Sequence, residues 1–256
     1  MEIGRHIDAL ERAGLDFVDA AEKAGFDAPV PTCPEWTVRD LVQHVGYVHR
    51  WAAAYVRGGR VSVLSDDEEE RAVGPMPPDD ELIGWFQSGH TALVDLLRAA
   101  PADTRCWHFL PAPTPLSFWA RRQAHETTVH RADLQGAVGD IAGVEADLGL
   151  DGIDELLMGF YGTRGGRLRS ETACTLAVHA TDGAESDGPR AWTVTMTPRG
   201  ATIVRGAPGA ADCTLTGPAS ALYLALWNRR DPQGLDIRGE ESVLSLWREK
   251  ATIRWT

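Results

Sequence analysis

Apolar residues recur at helical spacing from the start of the chain. Ile3, Ile7, Leu10, Ala13, Leu15, Val18 and Ala21 fall mostly three or four apart and predict a helix over 2–24. The stretch Gly25-Phe-Asp-Ala-Pro-Val-Pro-Thr-Cys-Pro-Glu-Trp36 is rich in proline and predicts a loop. Thr37-Val-Arg-Asp40 then has the form of a capping box, with Asp where Glu is usual. The helix it opens carries Val38, Leu41, Val42, Val45, Val48 and Trp51, runs to about Arg57, and is ended by Gly58-Gly59.

The acidic run Asp66–Glu70 and the prolines at 75, 77 and 78 predict a surface connection, the run being a solvated face or a helix turn. Residues 79–100 predict a third helix, with Leu82, Trp85, Phe86, Leu93, Leu96 and Leu97 apolar. Pro111-Ala-Pro-Thr-Pro115 predicts a second rigid loop, and a fourth long helix starts near Ser117 and reaches at least Leu134. A further helical segment covers 148–162. After the turn signal Gly162-Thr-Arg-Gly-Gly166 the period changes. The segments at 173–179, 192–196, 201–205 and 213–216 are short and rich in β-branched residues, as strands are. Two helical pieces follow, at 217–228 and 240–250. The pattern therefore predicts a helical domain over 1–145 and a smaller α+β domain over 146–256, with no internal repeat.

Composition narrows what such a chain does. With 43% hydrophobic and 24% charged residues it is globular, not disordered. The formal charge of -12 argues against a general nucleic-acid partner, because phosphate repulsion is offset only by local patches. The arginine pairs at 121–122 and 229–230 are too short to form one. No apolar run is long enough to span a bilayer, which gives no membrane partner, and the N-terminus lacks the order of a signal peptide. Cys33, Cys106, Cys174 and Cys213 are widely spaced and predict small buried side chains, not a disulfide scaffold. A cytoplasmic protein is expected.

The candidate chemistry lies on the fourth helix. Gln123, Glu126, His130 and Asp133 share one stripe, with Glu126 and His130 one turn apart on the same face. Glu-x-x-x-His can offer a carboxylate oxygen and an imidazole nitrogen to a single ion. His44, in line with Leu41, Val48 and Trp51, points into the bundle and is the natural third ligand. Two histidines and a glutamate form a catalytic zinc set with one open position, although nickel, manganese or iron accept the same donors. The plainer alternatives are a hydrogen-bonded core histidine at His44 and a surface pair at Glu126 and His130. Asp133 either orients a ligand histidine or pairs with Arg122 or Arg131. His125 is expected at the surface or beside the ligands, and His6, His49, His90, His108 and His179 show no partner pattern. Cys33 stands in the loop before the His44 helix, but Pro34 and Glu35 beside it do not favour a thiolate. No dinucleotide fingerprint, phosphate loop or nucleophile elbow is present.

The stretch from Cys33 through His44 to Gly46 resembles the second-helix signature of the mycothiol-dependent maleylpyruvate isomerase family, a branch of the DinB-like four-helix bundles. His125-Glu-Thr-Thr-Val-His-Arg-Ala-Asp133 resembles that family's other ligand helix. Leu215 to Arg230 and Ser245-Leu-Trp-Arg248 resemble its C-terminal α+β domain. The resemblance implies zinc held by His44, Glu126 and His130, mycothiol as cosubstrate, and an arginine of the second domain near the active site, matched by Arg229 or by its neighbour Arg230. It implies an isomerase or a thiol transferase acting on a small electrophile. The family's isomerase converts maleylpyruvate to fumarylpyruvate. A metal- and ligand-binding protein without catalysis, and a hydrolase using zinc-bound water, are the alternatives.

Overall fold

The computed structural model describes all residues except 163–167, 185–187, 207–208 and 254–256, so the turn expected after Gly162 lies outside the described residues. The chain divides into two compact units, Glu2–Ala142 and Gly143–Thr256, the second also holding Met1.

The first unit is helical: α1 (Ile3–Ala24), α2 (Val38–Gly58), α3 (Asp66–Val73), α4 (Asp79–Ala99) and α5 (Pro115–Val138). α1 packs chiefly on α5, and α2 on α4. The capping box at α2 forms as its sequence predicts: Thr37 N donates to Asp40 Oδ2 at 2.8 Å, and Asp40 N donates to Thr37 Oγ1. The acidic run is itself a helix, α3. Ser65 and Glu68 cap it, and its first turn holds four acidic residues, which suit the positive end of a helix dipole. α5 begins before Ser117 because Thr114 caps it and Pro115 takes the first helical position, where a missing N–H is harmless. Phe17, Val30, Leu41, Val45, Leu82, Phe86 and Leu134 share one core, with Phe17 and Phe86 stacked at 4.6 Å. Close helix approach depends on glycine. A Cβ on Gly14 would lie 2.2 Å from the His90 ring, and one on Gly46 2.2 Å from Trp85.

In the second unit α6 (Ala146–Asp154) passes directly into a π-helical segment, Glu155–Tyr161. The sequence predicts one uninterrupted α-helix there. Buried Leu156, Leu157 and Phe160 suit either pitch, so apolar spacing does not reveal the change. β1 (Cys174–Ala180), β2 (Ala191–Thr197), β3 (Gly200–Arg205), β4 (Cys213–Gly217) and β5 (Asp236–Gly239) form a sheet in the order β3-β2-β1-β4-β5. β1 and β4 pair in parallel and the other neighbours antiparallel. β5 is not foreseen from sequence, since Asp-Ile-Arg-Gly is a short, polar edge strand with little alternation. Helices α7 (Ala219–Leu226) and α8 (Glu241–Lys250) accompany the sheet. Trp247 Nε1 on α8 donates to Leu226 O at 3.1 Å. The observed fold class, helical and then α+β, is the one the hydrophobic pattern predicts. None of the four cysteines is in a disulfide, and Cys106 and Cys213 are buried. No helix among the described residues is long and apolar enough to cross a membrane.

Candidate metal centre

α2 and α5 carry the site. His44 stands between the buried positions Leu41 and Val45, so its ring turns inward while its edge keeps some exposure. Glu126 and His130 lie one turn apart on α5. That helix is buried almost all round, and its buried side chains include Arg122, Gln123, His125, Glu126, Thr127, Thr128, Arg131 and Asp133.

Three ligand atoms converge. Glu126 Oε1 lies 3.4 Å from His44 Nε2 and 3.3 Å from His130 Nε2. Suitable donor atoms of the three residues all fall within 4.8 Å of one another. The same Oε1 is buried and accepts no well-formed hydrogen bond among the described residues. Arg122 Nη2 donates to the other oxygen, Oε2, at 3.0 Å. A tetrahedral ion with bonds of about 2.0–2.1 Å sets its ligand atoms roughly 3.3–3.4 Å apart. Both O···N separations match that edge, and Oε1, faced by two imidazole nitrogens, is the atom a shared cation would satisfy, so the residues fit a metal ion.

The surroundings fix this set. His130 Nδ1 lies 2.7 Å from Asp133 Oδ2. Thr32 Oγ1 donates to Asp133 Oδ1, and Cys33 Sγ is 3.9 Å from Oδ2. The Trp36 ring lies 4.9 Å from His44 and 6.5 Å from His130. An open depression of about 430 Å³ adjoins His44, lined by Glu35, Trp36, Asp40, Gln43, Tyr47 and Met76. Burial disfavours a charged Glu126, but the two imidazoles and Arg122 outweigh it and hold the carboxyl well below its usual range. Burial likewise opposes a charged His130. Asp133 and Glu126 prevail and raise it to about 9.

His125 departs from its expected surface place. It is fully buried, 6.1 Å from the His6 ring, because α5 offers no solvent face at that position. His49 and His90, without a pattern in the sequence, are also interior. His49 Nε2 lies 2.9 Å from Thr127 Oγ1, and His90 Nε2 donates to Leu10 O at 3.1 Å. Burial holds His49 well below its usual pKa. Thr32 is the contributor that sequence reasoning leaves out. Arg122, weighed there only as a partner of Asp133, pairs with Glu126, and its place one turn before Glu126 is the signal that could have exposed this.

Arg229 and Arg230 belong to the second unit, just past α7. Asn228 there adopts φ 59°, held by Nδ2 bonds to Arg248 O and Ala251 O. Leu224 O accepts from both arginine N–H groups, and Arg229 Nη1 donates to Trp227 O at 2.7 Å.

Known proteins match the chain in sequence and in fold. Residues 7–135 fit the family model of the mycothiol maleylpyruvate isomerase N-terminal domain, and residues 147–246 that of the corresponding C-terminal domain. Two crystal structures share the fold: the mycothiol-dependent maleylpyruvate isomerase and a histidine-to-alanine mutant of it. Each superposes with a TM-score of 0.61 over 94% of this chain and 95% of its own, at 14% identity. No curated protein matches the sequence.

Proposed function

The chain belongs to the mycothiol maleylpyruvate isomerase family, and from that premise we propose that it is a zinc- and mycothiol-dependent isomerase or thiol transferase acting on a small, carboxylate-bearing electrophile. The observation that carries this reading is the approach of His44 Nε2 and His130 Nε2 to one buried oxygen, Glu126 Oε1, each at an O···N separation that suits two ligands of a shared tetrahedral ion.

His44, Glu126 and His130 hold the ion. Arg122 occupies Glu126 Oε2, so the carboxylate presents a single oxygen to it. Bound zinc supplies an open position for a thiol and favours its thiolate form. In the isomerisation the cosubstrate's thiolate forms a C–S bond at one alkene carbon, and the displaced electron pair moves to the conjugated carbonyl as an enolate. The former double bond is now single and rotates. When the electron pair returns, the C–S bond breaks, which restores the alkene as trans and frees the thiolate. Transfer would differ in that the enolate carbon takes back, through solvent, the proton the thiol lost on ionising, and the thioether is released. Arg229 takes the substrate carboxylate in this reading, because a guanidinium offers two parallel donors to it. A cosubstrate of this kind places the work in the cytoplasm.

The test is zinc content by elemental mass spectrometry together with turnover of maleylpyruvate and other electrophiles, with and without mycothiol. One zinc per chain, lost in His130→Ala, and turnover that needs both zinc and thiol are expected. Full thiol-dependent turnover by the metal-free protein would sink the reading, and turnover without thiol would point to a hydrolase.

A further inference from the structure

Asp133 lies behind the candidate ligand His130. It is fully buried, three residues past His130 on α5. Its two oxygens face different partners. Oδ2 is 2.7 Å from His130 Nδ1, and Oδ1 accepts the hydroxyl of Thr32. Thr32 comes from the loop between α1 and α2, which the Pro29–Thr37 bridge closes on itself. Cys33, next in that loop, also approaches Asp133 Oδ2, and Trp36 lays its ring beside both His44 and His130.

A carboxylate only accepts hydrogen bonds, so His130 Nδ1 carries its proton toward Asp133. A neutral imidazole then has its one lone pair on Nε2, the atom 3.3 Å from Glu126 Oε1. The geometry points to Asp133 as the positioning residue of the metal centre: it fixes the tautomer and ring direction of His130, and Thr32 holds Asp133 so that the loop and the ligand set order together. This rests on the metal reading above. A buried carboxylate behind a ligand imidazole also raises the ligand's basicity, and losing such a partner lowers metal affinity about 10–100-fold.

Asp133→Asn keeps the shape and removes the charge, while Thr32→Val removes only the hydroxyl that holds it. Zinc dissociation constants would be measured for both variants and the wild type by competition with a chromophoric chelator. Thermal unfolding of the metal-free proteins and the rate of Cys33 alkylation would accompany them, in a Cys174→Ser background because Cys106 and Cys213 are buried. We expect Asp133→Asn to weaken zinc binding about 10–100-fold and Thr32→Val by a smaller factor. Cys33 should alkylate faster in both, and Asp133→Glu should recover part of the affinity. A merely structural role would lower the unfolding temperature and leave the affinity of the folded protein unchanged. If Asp133→Asn fails to fold, Thr32→Val decides the matter, since its site lies in a loop. Zinc binding in both variants as tight as in the wild type would overturn the inference alone. A wild type that binds no zinc would overturn the metal reading, and this inference with it.

Discussion

α1 and α5 pack against each other more extensively than any other pair of elements, yet they are built on opposite rules. α1 buries Ile7, Leu10, Phe17 and Val18 on one side and leaves Asp8, Glu11, Asp19 and Lys23 on the other. Its charges meet partners at the surface, as Glu11 and Asp8 do with Arg98 and Asp19 with Lys23. Such exposed pairs contribute little to stability. α5 has almost no outer face, and it buries charged and amide groups that must find partners inside. One helix is organised for burial of apolar surface. The other keeps buried polar groups that include two of the three candidate ligands, and the difference should be measurable residue by residue.

The largest contrast comes from removing Glu126. Glu126→Ala leaves the buried Arg122 guanidinium without that carboxylate, which costs about 3–5 kcal/mol in the metal-free protein. It should also take zinc from one per chain to none. Chemical denaturation and elemental analysis read the two effects separately, and full retention of zinc would remove Glu126 from the ligand set. The matching change on α1 is Leu10→Ala, at a position with no exposure. It should destabilise by a similar ~2–5 kcal/mol, through the cavity it opens, and leave zinc affinity unchanged. If Leu10→Ala also weakened zinc binding, the division between the two helices would not hold.

The same contrast decides what the sequence discloses. α1 is legible because it has two faces, and its periodicity falls out of Ile3, Ile7, Leu10 and Val18. α5 is legible as a helix only through its loop boundaries, yet its stripe of Gln123, Glu126, His130 and Asp133 is visible because such residues on one line demand a reason. The loop contacts of Thr32 and Trp36 with that stripe are long-range in sequence, and no local pattern encodes them. His125 illustrates the limit: a histidine next to a candidate ligand looks exposed until its packing against His6 of α1 is known. In the second unit the alternation of β1 to β4 is plain. β5 hides because an edge strand owes its pairing to β4 more than to its own residues, and the π segment hides because apolar spacing tolerates either pitch.

A smaller effect sharpens the electrostatic side of the comparison. In the metal-free protein His130 is raised to about 9, above its unfolded value near 6.5, as Asp133 and Glu126 outweigh burial. Its contribution to stability is therefore fully present below about pH 6.5 and is lost as pH rises through about 9. Zinc needs the neutral imidazole, so its affinity runs the other way and rises about tenfold per pH unit up to that value. Titration calorimetry near pH 7.5, repeated in buffers of different ionisation heat, should count about one proton released per zinc. A count near zero would mean that His130 is already neutral there. No histidine of α1 should contribute to that count.

The smallest effect isolates a single amide. Gln123 is 1% exposed, lies one turn before Glu126 on the same stripe, and its Oε1 accepts no hydrogen bond among the described residues. Leaving a buried acceptor unsatisfied costs about 1–3 kcal/mol. Gln123→Leu, of similar volume, removes that acceptor and should stabilise the metal-free protein by about 1 kcal/mol, with zinc affinity unchanged. On α1 an apolar substitution at an exposed position such as Glu22 would shift stability by only a few tenths. Should Gln123→Leu instead destabilise the protein, the amide must already be satisfied inside the bundle. A loss of turnover at unchanged zinc content would carry more weight, because it would assign the amide oxygen to a bound cosubstrate or substrate and extend the functional stripe of α5 by a full turn.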